Sequence, residues 1–304
     1  MKSNIQVYVL SRDRPKYLEE ALISIIKNKK YTEFSIVVSD NSINNDVEEL
    51  IKEKYKSIKY LRRVPALSAL DHFRVVLDEA SEEYLVIFHD DDMMMEDYVL
   101  KMKNVLDLNE NIAAVGCNGY IFKKNKKCNL LINGSGIKVI SNQKDLLEAY
   151  FLFGSKGIAP FPGYMYRRAL IKGIYLDPID GGKYSDVSYL SKIASRAPIV
   201  WINEPLILYR IHESNDSNVD SIYDRLRLRR YMQKSVGYTK KSEIISAMKY
   251  QYLRAWIKKS IKKKGLKVLI QKREKIVLGF LLKYTLRMAL TRKIFWTKLK
   301  DKYI

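Results

Sequence analysis

The segment Tyr84–Asp92 constrains the fold of this chain most, because a short apolar run ends there in three consecutive carboxylates. The run is almost wholly apolar and rich in β-forming residues, a pattern typical of a buried strand. Adjacent carboxylates at a strand end repel one another and lose hydration, so they need a compensating cation. Oxygen ligands suit Mg²⁺ or Mn²⁺, and either ion commonly bridges to the phosphates of a substrate. The segment therefore indicates a metal site, the alternative being a solvated acidic turn.

Strands and helices alternate through the first part of the chain. Buried strands are predicted at Ile5–Leu10, Phe34–Ser39, Ile58–Leu61 and Tyr84–Phe88. Helical spacing of the apolar residues between them favours a parallel sheet with right-handed crossovers. In such sheets ligands bind at the carboxyl ends of the strands. Ser11, Asp40 and the cluster Asp90–Asp92 follow strands, so we expect them to line one crevice.

After residue 111 the pattern changes to shorter strands. These are predicted at Ala113–Gly116, Tyr120–Lys123, Ile199–Ile202 and Leu206–Tyr209, with helices at Gln143–Phe153 and Asp186–Ser195. No glycine-rich phosphate loop of the P-loop or dinucleotide type occurs. Cys117 and Cys128 are the two cysteines, and they provide neither a disulfide framework nor a zinc spacing. Together with first residues that do not resemble a signal peptide, they favour a reducing, cytoplasmic compartment.

Positive charge is concentrated in the last part of the chain. Residues 221–304 contain 25 Lys and Arg against 4 Asp and Glu, whereas the whole chain contains 55 against 34. Residues 1–220 are therefore neutral overall, which places a compositional boundary near residue 220. The basic region must meet something anionic, and the candidates are nucleic acid, anionic lipid and a phosphate-bearing substrate.

Three parts of the chain, in order, resemble the GT-A-fold glycosyltransferases of family 2. The opening VYVLSRDRPKYLEEALISIIKNKKYTEFSIVVSDNS is similar to the family's first strand, Arg-Pro loop, helix and second strand. DEASEEYLVIFHDDDMMMEDYV is similar to its metal-binding segment, and GYMYRRALI, KYSDVSYLSKIASR and INEPLILYRIHESNDS resemble its acceptor half. The resemblance implies an α/β GT-A catalytic domain over residues 1–220 with a mostly parallel, Rossmann-like sheet. Residues 1–110 would form the nucleotide-sugar-binding half and residues 111–220 the acceptor-binding half.

The chain departs from the family's pattern at two places. The family often has two acidic residues before the acceptor helix, and this chain has Ser185 and Asp186, which leaves one candidate base. The family usually has an Arg-Asn pair before the metal strand, and this chain has the segment Leu70–Arg74. The second departure leaves the donor contacts of that helix open.

The resemblance implies a metal site that holds Mn²⁺ or Mg²⁺ on the donor's diphosphate. Asp91 is expected to be the main ligand, Asp92 to ligate through water, and Asp90 to contact the ribose. His212 is expected to close over the metal or the diphosphate, although a lone histidine after a strand is more often a surface or capping residue. His89 is expected to support the acidic cluster by hydrogen bonding.

Four further donor contacts follow from the same resemblance. Asp40 is expected to accept a hydrogen bond from a uracil ring, the alternative being a turn cap after its strand. Ser11 and Arg14 are expected to contact the base or the phosphates, and Arg14 has the alternative role of a surface salt-bridge partner. Arg210 is expected to add positive charge near the diphosphate.

Asp186 is the expected catalytic residue. An inverting transfer needs one carboxylate near the acceptor hydroxyl, where it draws off the proton as the oxygen attacks the anomeric carbon. The resemblance gives Asp186 this role. The alternative is an N-cap, because Asp186 opens a predicted helix; the two roles are compatible.

The basic region 221–304 is expected to be helical and amphipathic. Its longest uncharged run, Ile276–Leu282, is too short to span a bilayer. The aromatic residues beside Lys and Arg suit a helix that lies on anionic lipid; they are Trp256, Tyr284, Phe295 and Trp296. Phe295 and Trp296 are the expected anchors. The alternative is a helical subdomain with a solvated basic face. The expected location is the inner face of the cell membrane, as a peripheral protein.

The leading hypothesis is an inverting, metal-dependent glycosyltransferase of the hexosyltransferase type. Its donor is expected to be a UDP-sugar, and its acceptor a glycan or lipid-linked glycan used in cell-surface polysaccharide synthesis. The first alternative is a metal-dependent nucleotidyltransferase, which shares the fold and the acidic cluster. The second is a basic nucleic-acid-binding protein, although no nucleic-acid-binding motif is recognised and the first two-thirds of the chain is neutral. No nucleic-acid partner is therefore expected.

Overall fold

The computed structural model describes residues 4–152, 157–159, 161–212, 221–265 and 275–286. The chain divides into two compact units, Met1–Val236 and Gly237–Ile304. The helix Ile222–Lys234 belongs to the first unit, where the Tyr231 hydroxyl donates a hydrogen bond to Ser191 Oγ at 3.1 Å. The functional boundary at residue 220 stays a prediction.

The strands of the first unit form one sheet. They are β1 (Ile5–Ser11), β2 (Ser35–Asp40), β3 (Lys59–Arg62), β4 (Tyr84–His89), β5 (Met93–Met94), β6 (Ala114–Lys123), β7 (Lys126–Leu130), β8 (Ile137–Ile140), β9 (Tyr164–Arg167) and β10 (Ile199–Arg210). The four strands predicted in the first part of the chain are confirmed to within one residue at each end. The short strands predicted later merge in pairs, into β6 and into β10.

Helices cover both faces of this sheet. They are α1 (Pro15–Lys27), α2 (Asp46–Lys54), α3 (Ala69–Glu79), α4 (Tyr98–Asp107), α5 (Gln143–Phe151), α6 (Arg168–Ile171), α7 (Ser185–Arg196) and α8 (Ile222–Lys234). Pro15 opens α1 because a proline in the first turn has no amide hydrogen bond to lose. The Ser68 hydroxyl accepts a hydrogen bond from the Asp71 amide and so caps α3.

The sheet is mostly parallel, and its strand order is β3-β2-β1-β4-β9-β6-β10-β5. β3, β2, β1 and β4 are parallel neighbours. β9 is antiparallel to both β4 and β6, so β6 and its parallel neighbour β10 point the same way as β4. The carboxyl ends of β1, β2, β4, β6 and β10 therefore lie at one edge of the sheet, which we call the carboxyl edge.

Two apolar cores lie on opposite faces of the sheet. Val7 and Val86 pack on one face with residues of α1, α2 and α4, and Tyr8 and Leu85 pack on the other with residues of α3, α5 and α7. Successive residues of one strand therefore enter different cores, as the period of a strand requires. These cores fix the strands whose carboxyl ends form the site.

The second unit contains two described helices, α9 (Glu243–Lys264) and α10 (275–286). They contact each other through the rings of Tyr250 and Tyr284, whose centroids are 4.7 Å apart. In the ranges that the structure describes, no helix has both the length and the apolar character needed to cross a bilayer. The expected anchors Phe295 and Trp296 lie outside the described residues.

Candidate active site

A cleft of about 680 Å³ opens at the carboxyl edge of the sheet. Its walls come from the loops after β1 and β4, from α3, from the segment before β9 and from the start of α7. Five residues with predicted roles line it: Ser11, Arg14, His89, Asp91 and Asp186. Four others lie just behind this lining and are at most 5% exposed: Asp40, Asp90, Asp92 and Arg210.

Asp90 is held by the loop after β1. Its Oδ2 accepts hydrogen bonds from the Ser11 hydroxyl at 2.9 Å and from the Arg12 amide at 3.0 Å. The Arg14 guanidinium lies 2.6 Å from Oδ1. Burial raises the pKa of Asp90 to about 6, although Arg14 opposes that shift. The predicted meeting of Ser11 with the acidic cluster is therefore present in the structure.

Asp91 is the carboxylate most closely surrounded by positive groups. Its Oδ2 lies 2.8 Å from an Arg14 terminal nitrogen and 2.9 Å from His212 Nε2. Burial opposes ionisation of Asp91, but His89, Arg14 and His212 outweigh that effect and lower its pKa. The cleft therefore presents an ionised carboxylate. The alternative role predicted for Arg14 was a salt bridge at the surface. Arg14 does make salt bridges, but its partners are Asp90 and Asp91 of the acidic cluster.

Asp92 is buried, and only one of its two carboxylate oxygens accepts a hydrogen bond from a described residue. Its Oδ1 accepts a hydrogen bond from the Arg210 amide at 2.8 Å. Among the residues that the structure describes, none forms a hydrogen bond with its Oδ2, and His89 Nδ1 lies 4.0 Å away. Burial and the neighbouring Asp91 raise the pKa of Asp92. A buried acceptor without a donor is costly, which favours a ligand that fills the gap.

His89, Asp91 and Asp92 form a group that can hold a metal ion. Each offers one ligand atom, and these atoms lie within 4.8 Å of one another. The unsatisfied Asp92 oxygen and the two carboxylates fit Mg²⁺ or Mn²⁺. The His89 ring lies parallel to the Phe161 ring, with centroids 6.4 Å apart. Sequence reasoning gave His89 only a supporting role, and its position directly before the carboxylates was the one signal available.

Arg210 joins the end of β10 to the end of β4. Its side-chain Nε donates a hydrogen bond to the Asp91 carbonyl oxygen at 2.8 Å, and its guanidinium also pairs with Glu20. The Tyr17 ring lies 4.7 Å from the same guanidinium. Arg210 is therefore buried behind the acidic loop and does not line the cleft.

Asp40 is fully buried at the end of β2, and both its oxygens accept hydrogen bonds. The Ser42 amide donates to Oδ1 at 2.9 Å. The Tyr60 hydroxyl donates to Oδ2 at 2.6 Å, and Arg62 donates to the same oxygen at 3.1 Å. The Ser42 contact is the turn cap that was the alternative role. Asp40 also holds the adjacent strand β3 through two side chains.

Asp186 lines the wall of the cleft that the start of α7 provides. The helix begins at Ser185, so Asp186 lies in its first turn and not at the N-cap. Its Oδ1 accepts a hydrogen bond from the Val187 amide at 2.8 Å. Burial raises the pKa of Asp186 to about 6, with the Val187 amide and Lys183 opposing the shift. Asp186 and Asp91 therefore line one cleft from different elements.

Comparison with known proteins identifies the family. The sequence model described as glycosyl transferase family 2 matches residues 7–174, which is more than half of the chain. The chain belongs to glycosyl transferase family 2. The match spans the metal-capable group and the strands that hold it, so this family 2 protein is a glycosyltransferase. No curated protein sequence matches the chain.

Solved structures share the fold of this family 2 enzyme. Staphylococcus aureus TarS 1-349 in complex with UDP-GlcNAc has a TM-score of 0.58 at 15% identity, over 92% of this chain and 80% of that one. The mannosyltransferase PcManGT from Pyrobaculum calidifontis, in complex with GDP-Man and Mn²⁺, has a TM-score of 0.51 at 14% identity. That match covers 93% of this chain and 86% of PcManGT. At this level of identity the similarity shows the GT-A fold.

Proposed function

We propose that this enzyme transfers a sugar, with inversion and with a divalent metal, from a UDP-sugar to a hydroxyl group. The acceptor is a glycan or lipid-linked glycan of cell-surface polysaccharide synthesis. One observation carries the proposal: a single cleft is lined by an ionised Asp91 and by Asp186, whose pKa is raised to about 6. Structures with the same fold are described with UDP-GlcNAc and with GDP-Man and Mn²⁺, which supports a nucleotide-sugar donor.

The donor lies along the loops after β1, β2 and β4 in this proposal. Asp91, Asp92 and His212 would hold Mn²⁺ or Mg²⁺, with His89 as a fourth available ligand. When bound, the metal supplies Lewis-acid stabilisation of the negative charge that grows on the departing diphosphate. The groups assigned to the rest of the donor are Asp90 for the ribose, Asp40 for the base, and Ser11 and Arg14 for the base or phosphates. Arg210 adds positive charge near the diphosphate from behind the acidic loop.

Arg14 has a second role in this proposal, as the partner of Asp90 and Asp91. Arg14 bridges Asp90 and Asp91 and so keeps two adjacent carboxylates within one loop despite their repulsion. A donor diphosphate brings more negative charge to the same place. Arg14 is the side chain in the cleft lining that can turn from the carboxylates to the phosphates, because a third of it is exposed.

Asp186 acts as the general base. At neutral pH a carboxylate with a pKa near 6 is ionised and yet more basic than an ordinary aspartate, which suits proton abstraction from a hydroxyl. The acceptor oxygen approaches from the α7 side of the cleft, opposite the diphosphate. The proton passes to Asp186 as the oxygen attacks the anomeric carbon, and the nucleoside diphosphate leaves.

The product separates this proposal from its nearest rival. Transfer of the sugar releases nucleoside diphosphate, whereas nucleotidyl transfer releases pyrophosphate. We expect the full chain, given UDP-sugars with Mn²⁺ and a panel of glycan acceptors, to release UDP. Pyrophosphate release from sugar phosphate and nucleoside triphosphate would instead establish the nucleotidyltransferase.

Asp186→Asn tests the base. The amide has nearly the shape of the carboxylate and cannot take a proton, so we expect turnover to fall by about 10²–10⁴-fold with UDP affinity unchanged. Glu110→Gln, a carboxylate-to-amide change at an exposed position, is the matched control and should retain full turnover. Wild-type turnover in Asp186→Asn would show that Asp186 serves only the helix start.

We also propose that residues 221–304 attach the enzyme to the inner face of the cell membrane. Their net charge of +21 equals that of the whole chain, and each basic residue near an anionic leaflet is worth about 1 kcal/mol. Co-sedimentation of the full chain with phosphatidylglycerol-containing vesicles should fall as salt rises, because salt screens the attraction. Equal recovery with purely zwitterionic vesicles would contradict the attachment.

A further inference from the structure

A lysine-rich hairpin projects from the carboxyl edge of the sheet. β6 and β7 are joined by a two-residue turn, and the segment Lys123–Lys127 carries four lysines and one asparagine. All five residues are exposed. None of the four lysines forms an ion pair with any residue in the described ranges. We call this segment the lysine hairpin.

Three features of the lysine hairpin lower its stability. Lys123 and Lys126 lie directly opposite each other across the two strands, where like charges destabilise the pair. Lys124 has a φ of 50°, in the left-handed region that long side chains rarely adopt. The five residues of the segment include no carboxylate to offset the charge. Local rules broken together in this way are typical of a functional segment.

The position of the hairpin connects it to the cleft. β6 lies between β9 and β10, and the residues at the carboxyl edge on both sides line the cleft: Pro162 before β9 and Tyr209 in β10. The Ile211 amide donates a hydrogen bond to the Phe122 carbonyl oxygen at 2.9 Å, so the base of the hairpin lies beside the segment that leads to His212. The hairpin therefore begins next to Tyr209, on the β10 side of the cleft, two residues beyond Ile121, which pairs with Tyr209.

We infer that the lysine hairpin contacts an anionic lipid surface. This contact turns the catalytic cleft toward the membrane. Lysine supplies compact point charges on flexible stems, which suits a diffuse anionic surface, whereas specific phosphate recognition favours the arginine fork. The hairpin contains lysine and no arginine. A membrane at this edge would also offset the repulsion between Lys123 and Lys126. The contact lies in the catalytic unit, apart from the attachment proposed for residues 221–304. Its use in orienting the cleft rests on the proposed function.

The chain carries its own probe for this inference. Of its two cysteines, Cys117 is buried and Cys128 is exposed in β7, next to the lysine hairpin. A fluorophore on Cys128 should be quenched strongly by spin-labelled headgroups in vesicles of phosphatidylcholine with phosphatidylglycerol. The comparison is Lys30→Cys in a Cys128→Ser background, because residue 30 lies between α1 and β2 at the opposite edge of the sheet. Equal quenching at both positions, or stronger quenching at residue 30, would overturn the inference.

Substitution of the four lysines by glutamine measures the affinity. We expect vesicle partitioning of the full chain to fall at least about tenfold, because the loss of two lysine contacts, at about fivefold each, already exceeds that factor. The matched control replaces Lys27, Lys29, Lys30 and Lys56, four exposed lysines at the opposite edge, and should change partitioning less than the hairpin variant. An equal loss in both variants would mean that total charge alone matters and would overturn the inference.

Two outcomes distinguish a lipid-binding hairpin from a purely structural hairpin and from an acceptor site. Lys126→Glu should stabilise the hairpin, by pairing with Lys123, and yet weaken vesicle binding, a combination that a purely structural role cannot produce. Unchanged vesicle binding with a loss of turnover on soluble anionic acceptors would assign the hairpin to the acceptor instead. Vesicle binding is measured without substrate and UDP affinity in parallel, so failure of this inference is distinguishable from failure of the proposed transfer.

Discussion

The end of β2 and the end of β4 lie on either side of the end of β1, and both carry buried aspartates in different surroundings. At the end of β2, Asp40 accepts hydrogen bonds at both oxygens. At the end of β4, Asp92 keeps one buried oxygen without a hydrogen bond from any described residue, and Asp91 is bound to side chains that a ligand can displace. The first arrangement stabilises the fold. The second leaves interactions open that a metal and a diphosphate can complete.

Removal of Asp91 should have the largest effect. Asp91→Ala eliminates the ionised ligand, and loss of Lewis-acid stabilisation worth several kcal/mol lowers turnover by about 10³-fold or more. Calorimetry with UDP should show tighter binding with Mn²⁺ than with EDTA in the wild type and no such difference in the variant. A metal effect that survives in Asp91→Ala would remove Asp91 from the ligand set and weaken the contrast with Asp40.

Asp40→Asn should act mainly on stability, whereas Asp91→Ala acts mainly on turnover. The amide has a single acceptor oxygen and no charge, so it cannot serve both the Ser42 amide and the Tyr60–Arg62 pair, and a broken buried ion pair typically costs about 3–5 kcal/mol. Arg62 keeps some contact with water, so we expect the free energy of unfolding to fall by about 3 kcal/mol. Urea titration measures this loss, with Glu110→Gln as the control. A stable variant with weak UDP binding would instead support the predicted base contact.

The pH dependence of transfer should reflect the titration of Asp186, the carboxylate that α7 contributes to the cleft. Because burial raises the pKa of Asp186 to about 6, the base is protonated as the pH falls through 6. We expect kcat/KM to fall about tenfold per pH unit below 6 and to level off above 7. An ordinary aspartate would hold its rate down to about pH 4. A profile without a break near pH 6 would show that another group takes the proton.

The smallest expected effect is a gain in stability. Burial and Asp91 raise the pKa of Asp92, so ionisation of this carboxyl group costs more in the folded state than in the unfolded state. Asp92→Asn removes that charge and keeps an acceptor for the Arg210 amide, so the free energy of unfolding without metal should rise by about 1 kcal/mol. Thermal unfolding with EDTA measures the gain. A loss of stability would mean that Asp92 is structural, like Asp40.

The sequence predicted the strands that carry the site better than it predicted how the side chains meet. An unbroken apolar run such as Tyr84–Phe88 indicates a buried strand, and the carboxylates after it indicate the strand end. The side-chain partners of Asp40, Tyr60 and Arg62, are on β3, and no local pattern shows that β3 lies beside β2. Strand order depends on packing between elements distant in sequence. The sequence alone therefore does not show that both Asp40 oxygens accept hydrogen bonds or that Arg210 is buried.

Two irregularities explain why single strands were predicted as pairs. Asn118 looks like a break, but its Nδ2 donates to the Ile132 carbonyl oxygen at 2.7 Å and its Oδ1 accepts from the Ile132 amide, so β6 continues through it. In β10 the pairing register shifts around Pro205, which has no amide to donate. The catalytic role of Asp186 came from family resemblance and stays a prediction, because an aspartate in a first helical turn carries no catalytic signal of its own.

The link between Arg210 and Asp92 also has a consequence for synthesis of the enzyme. The two residues are 118 positions apart, so at about 5–20 residues per second the ribosome needs roughly 6–24 s to add the second after the first. Until Arg210 has emerged, the Asp92 oxygen that accepts from its amide has no such donor, and the β4 end cannot take its final form. A nascent chain that has completed only β1 to β4 therefore lacks the donor that holds this Asp92 oxygen, and the end of β4 is completed only after β10 has been synthesised.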